Sequence, residues 1–269
     1  MPDRDAVQSE TETELDADLE IRLQESDRGV EQDEEWCEVT DEDGEVRRIR
    51  FHDYHEIYAV PGLYEHIFYE RLKCESPEAV SGLFQEELEQ EGVDPADLTV
   101  FDVGAGNGMV ATELAKRGFR KIVGVDIIDE AKMAAERDRP GLYEEYLVLD
   151  LTAIPGDVRT RLEGYEFDSL TTVAALGFDD MPPLAFAEAY NLVRDQGWLA
   201  FNIKERFLED DEDKSGFSAL IQRMLDEGKI ERLTERRYRH RLSVSGEPLH
   251  YVAIIARKLE DVPLEWAEE

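Results

Sequence analysis

From Leu98 onward, short β-rich apolar runs alternate with stretches of helical periodicity. The runs fall at Leu98–Val103, Lys121–Asp126, Tyr146–Leu149, Phe167–Ala174 and Trp198–Ile203, with helical patterns at 108–117, 129–137 and 183–193. Strands that alternate with helices predict a parallel sheet covered by helices on both faces, an α/β fold of Rossmann-like kind. The ending differs: after a helix at 216–227, Ile230 to Leu242 and Leu249 to Arg257 face each other across Ser245-Gly246-Glu247-Pro248. That arrangement predicts a strand pair and an antiparallel edge.

Upstream of the alternating region, Trp36 to Val39 and Val46 to Phe51 read as two strands around a turn containing Gly44. Residues 52–92 read as helical, broken at Pro61-Gly62. Ser76-Pro77 is placed as an N-cap with proline at the first helical position, and Gly92 as the stop. Residues 1–34 read as an acidic disordered tail, with a short amphipathic helix across Leu15, Leu19 and Leu23 as the alternative. The expected organisation is therefore a tail (1–34), a hairpin and helical lid (35–95), an α/β core (96–258) and a C-terminal tail (259–269).

Composition narrows the class. The 269 residues are 42% hydrophobic, ample for a core, and 35% charged. Apolar runs such as Val252 to Ala256 are far short of the roughly 18 residues of a membrane span. No basic region followed by an apolar run opens the chain, so a cytoplasmic location is expected and a membrane is not. Two cysteines, Cys37 and Cys74, argue against a disulfide scaffold or a zinc cluster. The net charge is -35, from 65 acidic against 30 basic residues, and only 8 of the basic residues are lysine. Self-repulsion on that scale is mostly screened at molar salt, where the Debye length is about 3 Å. The composition thus points to a halophilic, acidic protein, and it disfavours nucleic acid, which needs a basic footprint.

The sharpest local signal is Asp102-Val103-Gly104-Ala105-Gly106-Asn107-Gly108, between a strand and a helix. Glycines there let the backbone turn tightly and let a ligand approach. A dinucleotide fingerprint wants a third glycine where Met109 stands. A carboxylate two residues before the first glycine suits a cationic amino group better than an anionic pyrophosphate. The next strand ends in Asp126, placed for the hydroxyls of a ribose, and the third in Asp150, followed by Leu151. Any one of these acids alone reads as ordinary helix capping. Three at successive strand ends converge on the crevice where such sheets bind ligands.

These residues, with Phe167-Asp168 opening the fourth strand, resemble the class I S-adenosylmethionine-dependent methyltransferases over about residues 96–258. The resemblance implies a seven-stranded, mostly parallel sheet with one antiparallel strand. It implies S-adenosylmethionine as cofactor and S-adenosylhomocysteine as product. Asp102, Gly104, Ala105, Gly106 and Asn107 would meet the methionine moiety, Asp126 with Ile127 the ribose, and Asp150 with Leu151 the adenine. Ala174, after the fourth strand, joins the same set. Tyr54 to Tyr58 followed by Tyr64, and Ala174-Ala175-Leu176-Gly177-Phe178 with Met181-Pro182-Pro183, are loosely similar to the methyltransferase-like 27 group. That branch implies a small-molecule acceptor. Val173-Ala174-Ala175-Leu176 departs from the Asn/Asp-Pro-Pro-Tyr/Phe signature of enzymes that methylate planar amino groups.

Methyl transfer from a sulfonium needs in-line positioning above all, and a base only for a protonated acceptor. His55, Tyr58 and Lys204 are the catalytic candidates, with Glu56, His66, Asn202 and Glu205 nearby in sequence. Each has a bland reading: His52 and His55 as surface or capping residues, the tyrosines as packing, Lys204 as an ion-pair partner. The arginines between Arg232 and Arg241 read as the solvated face of an edge strand. Two rivals remain at this level: a non-catalytic module that binds an adenosyl ligand, and a nicotinamide-dependent oxidoreductase. Neither the methyl acceptor nor the oligomeric state is legible.

Overall fold

A computed structural model describes residue 15 and residues 19–25, 30–177, 180–205 and 215–267. Seven strands form one sheet: β4 (Thr99–Val103), β5 (Lys121–Asp126), β6 (Glu145–Val148), β7 (Phe167–Thr172), β8 (Val193–Lys204), β9 (Ile230–Leu242) and β10 (Pro248–Lys258). Their order is β6-β5-β4-β7-β8-β10-β9. Five run parallel in sequence, and β10 pairs antiparallel with both β8 and β9, so the single reversed strand lies inside the edge rather than on it. This is the α/β sheet expected from the sequence.

Strand alternation divides the core in two. Phe101 and Val103 of β4 and Leu199 and Phe201 of β8 face one layer, with Phe186, Tyr190, Phe217 and Met224 from α7 (Pro183–Asn191) and α8 (Phe217–Asp226). Val100, Trp198 and Ala200 face the other, against Val80, Leu83 and Phe84 of α3 (Ser76–Glu91) and Leu114 of α4 (Met109–Lys116). Burial on both faces explains why these strands read as continuous apolar runs. The remaining core helices are α5 (Asp129–Asp138) and α6 (Gly156–Glu163).

The N-terminal part builds its own small core. Strands β2 (Trp36–Thr40) and β3 (Val46–Arg50) pair antiparallel, and β1 (Glu20–Leu23) adds to β2. The acidic tail expected to run to residue 34 is thus corrected. Ile21 and Leu23 alternate with polar neighbours and turn toward the apolar face of the hairpin, which a strand satisfies and a helix would not. The rest of that tail falls mainly outside the described residues. Helix α1 (Tyr54–Ala59), a single turn α2 (Leu63–Glu65) and a π-helical turn at His66–Arg71 follow. Ile57, Leu63, Ile67, Phe68 and Leu72 pack with Cys37, Val39, Ile49 and Phe51 from the hairpin. Ser76 does not cap α3: its side chain makes no capping bond and is used elsewhere, as shown below. Among the described residues, no helix is long and apolar enough to cross a membrane.

Candidate functional site

Where β4 ends, Gly104, Gly106 and Gly108 take φ values of 70°, 53° and 90°, a left-handed course that L side chains resist. The loop is stitched to the neighbouring strand: the Gly104 and Ala105 N–H groups donate to Val125 O at 2.9 and 3.0 Å. Asp126, at the tip of β5, completes the stitch. Its Oδ2 accepts from Gly106 N at 2.9 Å and its Oδ1 from Ile128 N at 3.1 Å. Burial raises the Asp126 pKa, and these backbone donors oppose the rise.

Asp102 is placed behind this loop, not on its ligand side. Strand alternation puts it on the same face as Val100, where it is fully buried. The Tyr143 hydroxyl donates to Oδ2 at 2.9 Å and Thr171 Oγ1 to Oδ1 at 2.8 Å. Burial without a cationic partner pushes its pKa up to about 6. Both oxygens are engaged within the protein, by groups outside the loop.

At the carboxyl edge of β5 and β6, Ile127 is 62% and Val148 36% exposed, two of the few large apolar residues left open to solvent. Asp126 and Val148 are register partners, so apolar surface flanks the carboxylate. Asp150 lies just beyond, exposed, with Oδ1 accepting from Thr152 N at 2.8 Å and Thr152 Oγ1 at 2.7 Å. Those bonds lower its pKa and make it the cap of a short 3-10 turn, while Leu151 is buried in the core.

The lid covers the glycine loop. A cavity of about 70 Å³ lies between them, lined by Gly104, Ala105, Gly106, Asn107, Ala174 and Leu176 below and by Tyr54, Tyr58, Tyr64 and Phe68 above. The lid rings form a chain: Tyr54–Tyr58 centroids 6.0 Å apart, Tyr58–Tyr64 5.0 Å and Tyr64–Phe68 4.8 Å. A Cβ at Gly106 would stand 2.5 Å from the Tyr58 hydroxyl, so only glycine admits the ring there. Ala174 adopts a φ of 57°, unusual for a residue with a side chain, and its N–H donates to Asn202 Oδ1 at 2.6 Å.

The catalytic candidates separate. Tyr58 lines the cavity, yet burial holds its hydroxyl well above the usual range, which makes it a donor and not a phenolate base. His55 points to solvent, Lys204 is buried in β8 away from the cavity lining, and Glu205 pairs with Arg237. His66 bonds Glu70 at 2.7 Å, and Glu56 is half-buried outside the cavity lining. His52, read as a surface residue, instead lines the cavity and meets Asp180 Oδ1 at 2.9 Å.

Reading the arginines of β9 as a solvated face fits Arg232, Arg236 and Arg237, which pair with Glu235, Glu86 and Glu205. It fails for Arg241, which is 2% exposed and bonded to Glu35 at 2.5 Å, because the segment around Glu35 and Val244 covers that end of the strand. Ser76, His240, Arg241 and Tyr251 also line the cavity. Sequence reasoning missed this wall because periodicity along an edge strand carries no sign of a helix terminus docking on it.

Residues 101–201 match a family model described as a methyltransferase domain. A protein from Geobacillus sp. (strain WCH70) named as a methyltransferase is 28% identical over 155 residues, 53% of this chain and 57% of its own length. The chain thus spans little more than half the length of that curated relative. Among solved structures, the N-methyltransferase NodS from Bradyrhizobium japonicum WM9, in complex with S-adenosyl-L-homocysteine, is similar at 13% identity and a TM-score of 0.49, covering 68% of this chain and 87% of that one. The magnesium protoporphyrin IX methyltransferase from Synechocystis PCC 6803 is similar at 17% identity and a TM-score of 0.46, covering 68% and 79%.

Proposed function

We propose that the chain is a class I S-adenosylmethionine-dependent methyltransferase that transfers a methyl group to a small organic acceptor held beneath the lid, a reading supported by the match of residues 101–201 to a methyltransferase domain. The observation that carries this reading is the cavity enclosed between the Gly104–Asn107 loop and the aromatic lid. A concave space lined by aromatic rings suits a small molecule better than a polymer.

The residues fit the cofactor. Gly104 and Gly106 bring side-chain-free backbone, held at positive φ, to the cavity lining. Ile127 and Val148 offer apolar surface for an adenine, with the Asp126 carboxylate between that surface and the loop as the partner for ribose hydroxyls. Bound there, S-adenosylmethionine supplies an electrophilic methyl group on a good leaving group. The chain's own contribution is to hold the acceptor in line and to exclude water, which accounts for much of the rate in such displacements. The lid tyrosines and Phe68 close the cavity from above, and their buried hydroxyls stay protonated as hydrogen-bond donors. The acid excess, -35 over the chain, fits work in concentrated salt, where a cytoplasm rich in ions screens the surface.

Calorimetric titration with S-adenosylmethionine, S-adenosylhomocysteine and NADH at low and molar KCl tests the reading. Binding of both adenosyl ligands is expected, and Asp126→Ala should weaken it by about 1–3 kcal/mol through lost charged hydrogen bonds. No adenosyl binding at any salt would overturn the proposal, and NADH binding in its place would make the chain an oxidoreductase. Adenosyl binding without turnover across an acceptor panel would leave a sensing module.

A further inference from the structure

Behind the part of the cavity wall formed by Ser76 and His240 runs a chain of hydrogen bonds that begins at Ala174. Ala174 N–H donates to Asn202 Oδ1, so the Asn202 amide must present Nδ2 to Tyr238 Oη at 2.6 Å and to Ser76 Oγ at 3.3 Å. Tyr238, already an acceptor, has Ser76 Oγ at 2.7 Å as the remaining partner for its own proton. Ser76 in turn sends its proton to His240 Nδ1, 2.6 Å away. This order gives every hydroxyl proton of the chain an oxygen or nitrogen acceptor, whereas the reverse leaves the Tyr238 proton without one among these groups. Nδ1 is thus an acceptor, and the proton of the neutral imidazole sits on Nε2. Nε2 has no hydrogen-bond partner among the described residues, while His240 lines the cavity and is 5% exposed.

We propose that His240 offers this Nε2–H to the cavity as the anchor for the carboxylate of an acidic, apolar-bodied methyl acceptor. The inference rests on the methyltransferase reading and names its substrate class. Burial and the charges of Arg241 and Lys204 hold the His240 pKa well below the usual histidine range, which keeps the ring neutral and its tautomer set. The positive charge that Arg241, though paired with Glu35, and Lys204 still exert at this ring favours an anion over a cation beside it. The acids close by are committed elsewhere: Glu35 accepts from Arg241 and from Val244 N, Glu75 pairs with Arg239, and Asp180 meets His52. The other groups around His240 are uncharged: Cys74, Ser76, Tyr238, and Tyr251, whose ring lies 4.2 Å from the imidazole. Phe51, Phe68 and Tyr251 supply surface for the apolar body.

The test uses the full chain labelled with 15N-histidine and saturated with S-adenosylhomocysteine. Long-range 1H–15N spectra, with the His240→Gln variant to identify the signal among five histidines, should show a neutral Nε2-protonated ring from pH 5 to 8. Ser76→Ala should disturb that tautomer. Benzoate should shift the His240 signals and bind about tenfold more tightly than uncharged benzamide. His240→Ala should lose about that factor, while His240→Gln, whose amide can replace the Nε2 donor, should keep most of it. An Nδ1-protonated ring, no binding of benzoate, or equal benzoate affinity in the native protein and His240→Ala would each overturn the proposal. Absence of S-adenosylhomocysteine binding, read by calorimetry on the same samples, would instead sink the methyltransferase reading, since the tautomer is set by the protein's own hydrogen bonds and is read whether or not that ligand binds.

Discussion

Glu65 of the lid and Arg139 at the end of α5 form an ion pair at 2.8 Å that clasps the glycine loop. Glu65 Oε1 also accepts from Asn107 Nδ2 at 3.1 Å, and Arg139 donates to Asn107 O at 3.0 Å and to Thr112 Oγ1 at 2.9 Å. Asn107 is therefore held by its side chain from the lid and by its carbonyl from α5. The two charged side chains are 14% and 16% exposed, so the pair sits in the regime where removing one partner strands the other. Glu65→Ala should cost about 3 kcal/mol in urea denaturation, with the slope unchanged, and Glu65→Gln distinctly less. A loss below about 0.5 kcal/mol for the alanine variant would mean that water replaces the carboxylate and the clasp does not tie the lid down.

Asp102 gives a pH dependence of opposite sign to an ordinary paired carboxylate. Its folded pKa of about 6 lies above the unpaired value of 3.8, so between those values the folded state binds more protons than the unfolded one. Stability from this group is full below the unfolded pKa and falls as pH rises through about 6, by about 3 kcal/mol in total. Asp102→Asn removes the titration. The stability difference between the native protein and the variant should therefore change across pH 4–6 and stay flat above 7. A constant difference over that range, from chemical denaturation at each pH, would show that Asp102 is ionised without cost.

Gly106 and Tyr58 are matched by space as well as by conformation. Alanine at 106 must hold a φ near +53° and bring its Cβ to 2.5 Å from the Tyr58 oxygen, whereas the Cζ ring carbon stands at 3.4 Å, an ordinary contact. Gly106→Ala should destabilise by about 2–3 kcal/mol, part backbone strain and part collision. Adding Tyr58→Phe removes the colliding oxygen, so the double variant should regain about 1 kcal/mol relative to the sum of the two single changes. Additive effects in that cycle would place the lid ring away from the loop in solution.

The sheet was legible because its strands are buried on both faces and its glycine turn and acidic strand ends are written in local sequence. Phe101 and Val100 read alike as apolar whichever face they meet, so a run of such residues predicts the strand without its surroundings. The site was legible only in part. Asp102 looked like a ligand group, yet the same alternation that makes β4 a strand turns its carboxylate toward Tyr143, 41 residues downstream. Asp126 and Asp150 read alike as acids at strand ends, one for the ribose and one for the adenine, but one is wedged into the glycine loop and the other caps an exposed turn. Ser76 read only as a helix cap and His240 carried no signal: they are 164 residues apart, and only the docking of the start of α3 on β9 makes them partners. Arg241 was hidden among neighbouring arginines for the same reason, since its burial depends on Glu35, 206 residues away.

The salt reading sets two electrostatic terms against each other. Surface pairs such as Arg48–Glu38, Arg50–Asp53 and Arg194–Asp168 hold charges that are half or more exposed on the arginine side, and salt weakens them. Each is worth between nothing and about 1 kcal/mol, so their loss is modest. Against them stands an excess of 35 negative charges, whose mutual repulsion extends over many pairs at low salt, where the Debye length is about 10 Å. Shrinking that length to about 3 Å at 1 M removes most of the repulsion, so the second effect should win. The unfolding midpoint is expected to rise between 0.1 and 2 M KCl, steeply at first and then levelling as screening saturates. A rise that stays linear to 2 M would instead mark general exclusion of salt from the surface. An unchanged midpoint would remove concentrated salt as the medium to which this surface is adapted.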